Sequence, residues 1–496
     1  MLIDLLRRST ERNPSKPAII SGSESLSYAE LLDLSGRLAA GLESWEIKPG
    51  DRVVMLLANS PEFAVSFFAV TGIGARAILL DPHSRAHELA HALNECHPRA
   101  IITDERGLAR WRDVADKAAS PDLALVVGAE RGSGIEFRSF AQESRPLAEW
   151  ASDSDCTATY QYSSGSTGRA KRIGRTHAQW VFEATSLTSA VGHSETDVVL
   201  CIVPLFHAYG CSSCLLASIT AGATLVVQEH VQPFALRKTD TLRLIDEWGV
   251  TVVAGVPYMF DLLSHVTDDA SLRTVRYCGS SGGPLPEATF QAFDARFGVP
   301  VRQEYGSTEA GKIAVNADPD PRRTWASVGK PLPGIDLVTF DDQGRRLASG
   351  EFGRVGIRSP GLTTDHPFKG GLPFAGDFYL TGDLGSLDDD GRLTISGRTK
   401  VFIEVLGEKV DPTEVEEVLA LHHAVQESVV VGISSTRTGG TVLKAIVVPG
   451  GECDERELIH FCKERLSSFK VPSVIEFRES LPRSQIGKLL RKDLLS

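Results

Sequence analysis

At 496 residues the chain exceeds one ordinary domain of about 100–200 residues, so roughly two to four domains or subdomains are expected. Hydrophobic residues make up 42% and charged residues 23%, the composition of a soluble globular protein and not of a fibrous or disordered one. A formal net charge of -12 argues against a nucleic-acid-binding surface and leaves room only for a local basic pocket for phosphates.

In chain order, MLIDLLRRSTERNPSKPA reads as a short amphipathic helix. Asp4, Arg7 and Arg8 interrupt its apolar residues, so it has no signal-peptide core. Arg52–Leu57 is a strand-like run, and Pro61–Val70 a helix with Ser60 as N-cap. Ala77–Leu80 is strand-like, a helical stretch runs through Leu93, and Ala100–Thr103 is again a strand. The rhythm returns at Asp197–Val203, Thr224–Val227, Thr251–Ala254 and Thr274–Cys278, which predicts an α/β architecture with largely parallel strands. The longest apolar stretch, Leu215–Val227, is broken by Ser218, Thr220 and Gly222, so no membrane span is predicted.

After about Gly329, Gly and Pro become frequent and the strands short: Asp336–Phe340, Gly353–Arg358 and Arg392–Ser396 form a small, mostly antiparallel β-region. Glu427–Gly432, Val442–Val448 and the helix Glu455–Leu466 form a compact α+β unit. The predicted division is a large N-terminal domain, residues 1–398, of two mixed α/β subdomains plus the β-region, and a small α+β C-terminal domain, residues 399–496.

The most informative stretch is Tyr162-Ser163-Ser164-Gly165-Ser166-Thr167-Gly168-Arg169-Ala170-Lys171. Small hydroxyl residues and glycines leave backbone N–H groups open as an anion-binding nest. Ser163, Ser164, Ser166 and Thr167 add hydroxyl donors, and Lys171 adds a positive charge. A Walker loop would need Gly-Lys five residues after its first glycine; here Gly165 is followed by Gly168, and that reading fails.

The loop resembles the phosphate loop of the adenylate-forming enzymes, the superfamily of acyl-CoA synthetases, peptide-synthetase adenylation domains and beetle luciferases. Ala170 and Arg172 stand where that family usually has Pro and Gly. Further stretches are similar to its motifs in the family's order: Pro204–Gly210 (PLFHAYG), Gly279–Leu285 (GSSGGPL), Glu304–Glu309 (EYGSTE), Tyr379–Asp383 (YLTGD), Gly397–Lys400 with Gly407–Val410, and Ile486–Arg491 (IGKLLR).

The resemblance implies ATP-dependent conversion of a carboxylic acid to an acyl-adenylate, followed by transfer to a thiol. Attack of a carboxylate on the α-phosphate joins two anions, so the chemistry needs positive charge and positioning. Lys488 is the residue implied to supply that charge, and Thr308 to contact the α-phosphate. Glu309 is implied to hold Mg²⁺. Gly282, Tyr305 and Gly306 are implied to receive adenine, Asp383 the ribose hydroxyls, and Arg398 the ribose or phosphates. His207 is implied to line or gate the acyl pocket, and Lys400 to be the hinge about which a mobile C-terminal domain turns. Glu404 departs from the lysine usual there, which leaves the thiol step open.

Between Cys201 and Thr220 there is no Asp or Glu to pair with an ammonium, so an aryl or fatty acid is expected over a free α-amino acid. Coenzyme A is the expected acceptor; the phosphopantetheine of a separate acyl carrier protein, as for an acyl- or aryl-AMP ligase, is the alternative. No fused carrier domain is expected after the Lys488 motif. Two competing readings come from short motifs. Gly279–Gly283 also satisfies G-x-S-x-G, which would make Ser281 a hydrolase nucleophile with Asp383 and His422 or His423. Cys211 and Cys214 form a C-x-x-C, either a redox pair or two small apolar residues on a helix. The scattered cysteines suit a reducing cytoplasm.

Overall fold

A computed structural model describes residues 1–84, 86–128, 135–147, 149–163, 171–228, 234–267, 271–366, 373–398, 403–405, 408–410, 412–434, 441–466, 468–483, 489 and 494. The chain forms two compact units, one of residues 1–337, 357–379 and 388–394, the other of residues 338–356, 380–387 and 395–496.

In the first unit, β1 (Pro17–Ser21) and β2 (Glu24–Ser27) open the chain. Then come β3 (Arg52–Leu56), β4 (Arg76–Leu79), β5 (Ala100–Asp104), β6 (Leu123–Val127), β7 (Ile135–Glu136), β8 (Thr157–Ser163) and β9 (Lys171–Thr176). These last seven make a sheet ordered β7-β6-β5-β3-β4-β8-β9. All its pairs are parallel except the β8–β9 hairpin, whose register runs from Thr157↔Thr176 to Ser163↔Lys171.

Next follow β10 (Val198–Cys201), β11 (Thr224–Val227), β12 (Val252–Gly255), β13 (Tyr277–Ser280), β14 (Val301–Ser307), β15 (Gly311–Val315) and β16 (Lys330–Pro331). With β1 and β2 they form a second sheet ordered β16-β15-β14-β13-β12-β10-β11-β1-β2. From β1 to β14 its pairs are parallel; β2, β15 and β16 add antiparallel edges. The central strands β10 to β13 are buried along almost their whole length, so their sequences read as continuous apolar runs and not as alternation.

Local chemistry sets the helix starts. Ser60 accepts from the Phe63 N–H ahead of helix Pro61–Gly72, whose Pro61 sits where a missing N–H is harmless. Thr176 and Gln179 form a capping box on helix His177–Val191, which Gly192 ends in the left-handed conformation at φ 67°. The first helix, Leu2–Arg12, buries Leu2, Ile3, Leu5 and Leu6. Its Leu2 N–H donates to His177 Nδ1 at 3.2 Å, tying it to the helix that follows β9.

Strands β17 (Asp336–Phe340), β18 (Phe352–Arg358), β19 (Phe374–Ala375), β20 (Phe378–Leu387) and β21 (Leu393–Arg398) occupy the Gly- and Pro-rich region. β19 and β20 pair antiparallel. In the second unit, β22 (Ile403–Val405) and β23 (Glu408–Val410) make a small hairpin. β24 (Val425–Ser434), β25 (Thr441–Pro449) and β26 (Val474–Phe477) form a mixed sheet. Helices Pro412–Ala420 and Glu455–Lys463 lay Val415, Leu419, Leu458 and Cys462 against Val430, Leu443, Ala445 and Val447 in an apolar core. Among the described residues no helix is long and apolar enough to cross a membrane.

Burial holds the His177 and His193 rings neutral, with pKa values lowered to about 4. An unfolded chain would take up protons at both below the ordinary histidine value of about 6.5. Their contribution to stability is therefore complete above about pH 6.5 and is lost as pH falls to about 4. Thermal unfolding followed by near-UV circular dichroism should show the melting temperature falling across that window. His177→Gln, which can still accept from Leu2, should make the fall shallower.

Candidate active site

Neighbouring parallel strands β10, β12, β13 and β14 all end on one edge of the second sheet, where ligands of open α/β sheets bind. Three motifs of the first unit leave that edge. Pro204–Gly210 follows β10, Gly279–Leu285 spans the end of β13, and Tyr305–Glu309 spans the end of β14. The glycine-rich segment is the connection of the β8–β9 hairpin. Ser164–Gly168 lie outside the described residues, as do Lys400 and Lys488; of Ser163, Lys171, Arg398 and Glu404 only the backbone is described.

His207 caps the short helix Ala208–Gly210, its Nδ1 accepting from the Tyr209 N–H at 3.3 Å. The Phe206 carbonyl accepts from Gln161 Nε2 of β8 at 3.0 Å, which fixes this segment to the β8–β9 hairpin. Gly210 is required by close approach, since a Cβ there would stand 2.1 Å from the Pro204 carbonyl oxygen.

Gly282 adopts φ 86°, which glycine reaches without strain, and the Ser281 N–H beside it donates to the Gly255 carbonyl at the end of β12. Tyr305 is half-buried and Gly306 exposed, so the ring keeps an accessible surface beside bare backbone. Thr308 and Glu309 sit in the turn between β14 and β15, both partly exposed.

That turn is held from outside its own hairpin. The Lys312 N–H donates to Glu183 Oε1 at 2.8 Å, and the other carboxylate oxygen of Glu183 pairs with Arg175 of β9. The Arg175 guanidinium lies 4.1 Å from the Trp180 ring centroid. The Thr363 N–H donates to the Glu309 carbonyl at 2.7 Å, and its hydroxyl donates to the Gly174 carbonyl of β9. The strand leaving the glycine-rich loop is thus bound to the turn that carries Thr308 and Glu309. Arg172, where the family usually has glycine, lies 4.3 Å from the Tyr160 ring centroid and 3.6 Å from both Glu95 and Asp365.

Asp383 lies on the part of β20 that belongs to the second unit; it is buried, and its N–H donates to Thr381 Oγ1 at 3.2 Å. Arg398 ends β21 in the same unit. Sequence reasoning missed Arg175, Glu183, Glu304, Lys312 and Thr363. For Glu304 and Lys312 the available signal was charge inside strands that are otherwise largely buried, as in Gly311–Val315.

The two competing motif readings fare poorly. His422 Nδ1 accepts from the Ala424 N–H at 3.3 Å and its Nε2 lies 3.3 Å from Glu457, so both ring nitrogens are engaged within the second unit. Cys211 and Cys214 are fully buried in a π-helical turn, Cys211–Leu216. Burial raises the Cys211 thiol pKa, and Cys201 beside it together with burial raises that of Cys214, so neither supplies a thiolate.

The AMP-binding enzyme family model matches residues 6–365, and its C-terminal domain model matches residues 414–488. This chain belongs to the AMP-binding enzymes. It is 31% identical to the 2-succinylbenzoate–CoA ligase of Bacillus licheniformis over 99% of this chain and 98% of that one. It is 30% identical to 4-coumarate–CoA ligase 3 of Oryza sativa subsp. japonica, over 97% and 89% respectively. The structure of the anthranilate CoA ligase AuaEII with anthranoyl-AMP superposes with a TM-score of 0.87 at 25% identity, covering 99% of this chain and 96% of that one. The chain is accordingly an AMP-forming acid–thiol ligase of α/β fold, with a large N-terminal and a small C-terminal domain.

Gly311 has φ 68°, and a Cβ there would lie 2.3 Å from Glu183 Oε2. Gly311→Ala should lower stability by about 3 kcal/mol or more, through both backbone strain and displacement of a buried carboxylate. Gly298→Ala, at φ 70° in open space, should cost only about 1 kcal/mol. Urea unfolding of the two variants compares them directly.

Proposed function

We propose that this ligase activates an aryl or fatty carboxylic acid with ATP and transfers the acyl group to coenzyme A. What supports the reading most is the convergence of His207, Gly282, Tyr305, Thr308 and Glu309 at the carboxyl edge of adjacent parallel strands. On this reading adenine lies against Tyr305 and the bare backbone of Gly282 and Gly306, and the triphosphate lies in the loop from Ser163 to Gly168 with Lys171 at its end. The acid enters along the His207 segment, and Thr308 contacts the α-phosphate at which it attacks.

Among the described residues no three His, Cys, Asp or Glu side chains cluster to hold a metal alone. Glu309 would be the protein's ligand to Mg²⁺, an ion that takes oxygen ligands and is usually held by one or two carboxylates. Bound there, it would supply positive charge to the phosphate oxygens. Asp383 would accept from the ribose hydroxyls, with Arg398 near the ribose or phosphates. Residues 399–496 would move as a body about Lys400 and deliver Lys488, whose ammonium offsets the repulsion of carboxylate and phosphate.

The reading places the enzyme in the cytoplasm, where ATP and coenzyme A are at hand. The names of CoA ligases among its relatives support coenzyme A as acceptor. Glu404, in place of the family's usual lysine, keeps a carrier-protein phosphopantetheine as the second acceptor to test.

Pyrophosphate release measured over a panel of carboxylic acids, with and without coenzyme A, tests the proposal. Activity should require an acid, ATP and Mg²⁺, with acyl-CoA as product. Lys488→Ala should lower adenylation by at least a hundredfold while leaving the melting temperature unchanged; near-normal release by that variant would refute the lysine's role.

A further inference from the structure

Arg172 is the second residue of β9, the edge strand that leads away from the glycine-rich loop. A long cation on an edge strand ordinarily extends into water. This one turns inward. Its guanidinium lies 4.3 Å from the Tyr160 ring centroid, diagonally across the hairpin, and its side chain is 27% exposed. Tyr160 has room because it faces Gly174, where a Cβ would stand 2.8 Å from the ring and 2.5 Å from Asp365 Oδ2. Arg172 also lies 3.6 Å from Glu95 of helix Ala86–Cys96 and 3.6 Å from Asp365, whose carbonyl accepts from the Gly174 N–H at 2.8 Å. Tyr162, the cross-strand partner of Arg172, reaches the same helix and donates to the Ala92 carbonyl at 3.4 Å.

These contacts contribute little to the fold by themselves. Neither carboxylate is within hydrogen-bonding distance of the guanidinium, and its Nε is buried with no acceptor among the described residues. A partly exposed pair at such range is worth little. What distinguishes them is where they meet. A ring from β8, a carboxylate from helix Ala86–Cys96 and a carboxylate from the 359–366 segment converge on one side chain, one residue past Lys171. Through Thr363 that last segment also holds the Glu309 carbonyl, so fixing β9 against Asp365 fixes the foot of the loop relative to the 308–310 turn.

We propose that Arg172 is a positioning residue for the triphosphate, holding the downstream arm of the glycine-rich hairpin in its nucleotide-receiving shape before ATP arrives. Ordering a loop on binding costs affinity, and a loop held beforehand avoids that cost. Proline restrains a chain through its fixed φ. This chain has alanine at 170, where related loops usually have proline, and arginine at 172, where they usually have glycine. The restraint passes from backbone to side chain. A guanidinium suits the task better than an ammonium, because its flat face stacks on Tyr160 while its edge faces both carboxylates. Arg172 itself touches no substrate. The inference rests on the adenylation reading above and adds to it a residue that governs affinity for ATP and not for AMP.

The test compares binding of ATP and of AMP to the full chain by calorimetry in the presence of Mg²⁺. AMP lacks the two outer phosphates assigned to the loop. Arg172→Met keeps the length of the side chain and removes its charge; it should weaken ATP by about tenfold and AMP by less than about twofold. Arg172→Lys, which keeps the charge without the flat face, should fall between the wild type and Arg172→Met for ATP, and it carries the comparison if the methionine variant does not fold. In pyrophosphate release, with any acid the enzyme uses, Arg172→Met should raise the KM for ATP by a similar factor and leave the KM for the acid within about twofold. Equal losses for the two nucleotides would mark a merely structural role and overturn the inference, as would unchanged ATP binding in both variants. If the wild-type chain binds neither nucleotide, the adenylation reading falls, and this inference with it.

Discussion

Glu183 and Thr363 bind the two sheets of the first unit into one rigid frame. One carboxylate holds Arg175 of β9 and the backbone of Lys312 on β15, and one threonine links the carbonyls of Gly174 and Glu309. These contacts fix where the glycine-rich hairpin meets the 308–310 turn, and misplacement by 1 Å is enough to forfeit much of the advantage of holding reactants in line. The contacts are buried, so they keep their strength where an exposed ion pair would be screened.

Much of this fold was legible in the chain, for identifiable reasons. The βα rhythm of residues 52–104 and 197–280 came through because parallel strands buried on both faces read as short apolar runs bounded by turns. Ser60 was visible as a cap because its hydroxyl acts on Phe63, three residues away. Ends were less exact: β13 runs Tyr277–Ser280, later than the apolar run that announced it, because the strand continues through Gly279 and Ser280 to pair with Gly255 and Gln303. The β8–β9 hairpin around the glycine-rich segment was not foreseen, since Lys171–Thr176 contains two arginines, a glycine and little apolar character.

What local reading could not see is contact across sequence. The window Cys201–Thr220 holds no acidic residue, yet Glu304 arrives beside Tyr209 from β14 and brings Lys312 with it. The surroundings of Tyr209 are therefore not the neutral ones that its own segment implies. Thr363 lay in a stretch with no motif at all, because its work is done through the backbones of Gly174 and Glu309, and backbone atoms leave no mark in composition.

The bare Cα of Gly279 has a bearing on how this enzyme's lineage can change. Glu304 fills the room a side chain at 279 would occupy. Any larger residue at 279 must wait until 304 has become small, and once 279 has grown the way back to glutamate at 304 is shut. Drift at these two sites is contingent and ordered, so sister enzymes should divide into lineages holding one arrangement or the other, with few mixtures between them.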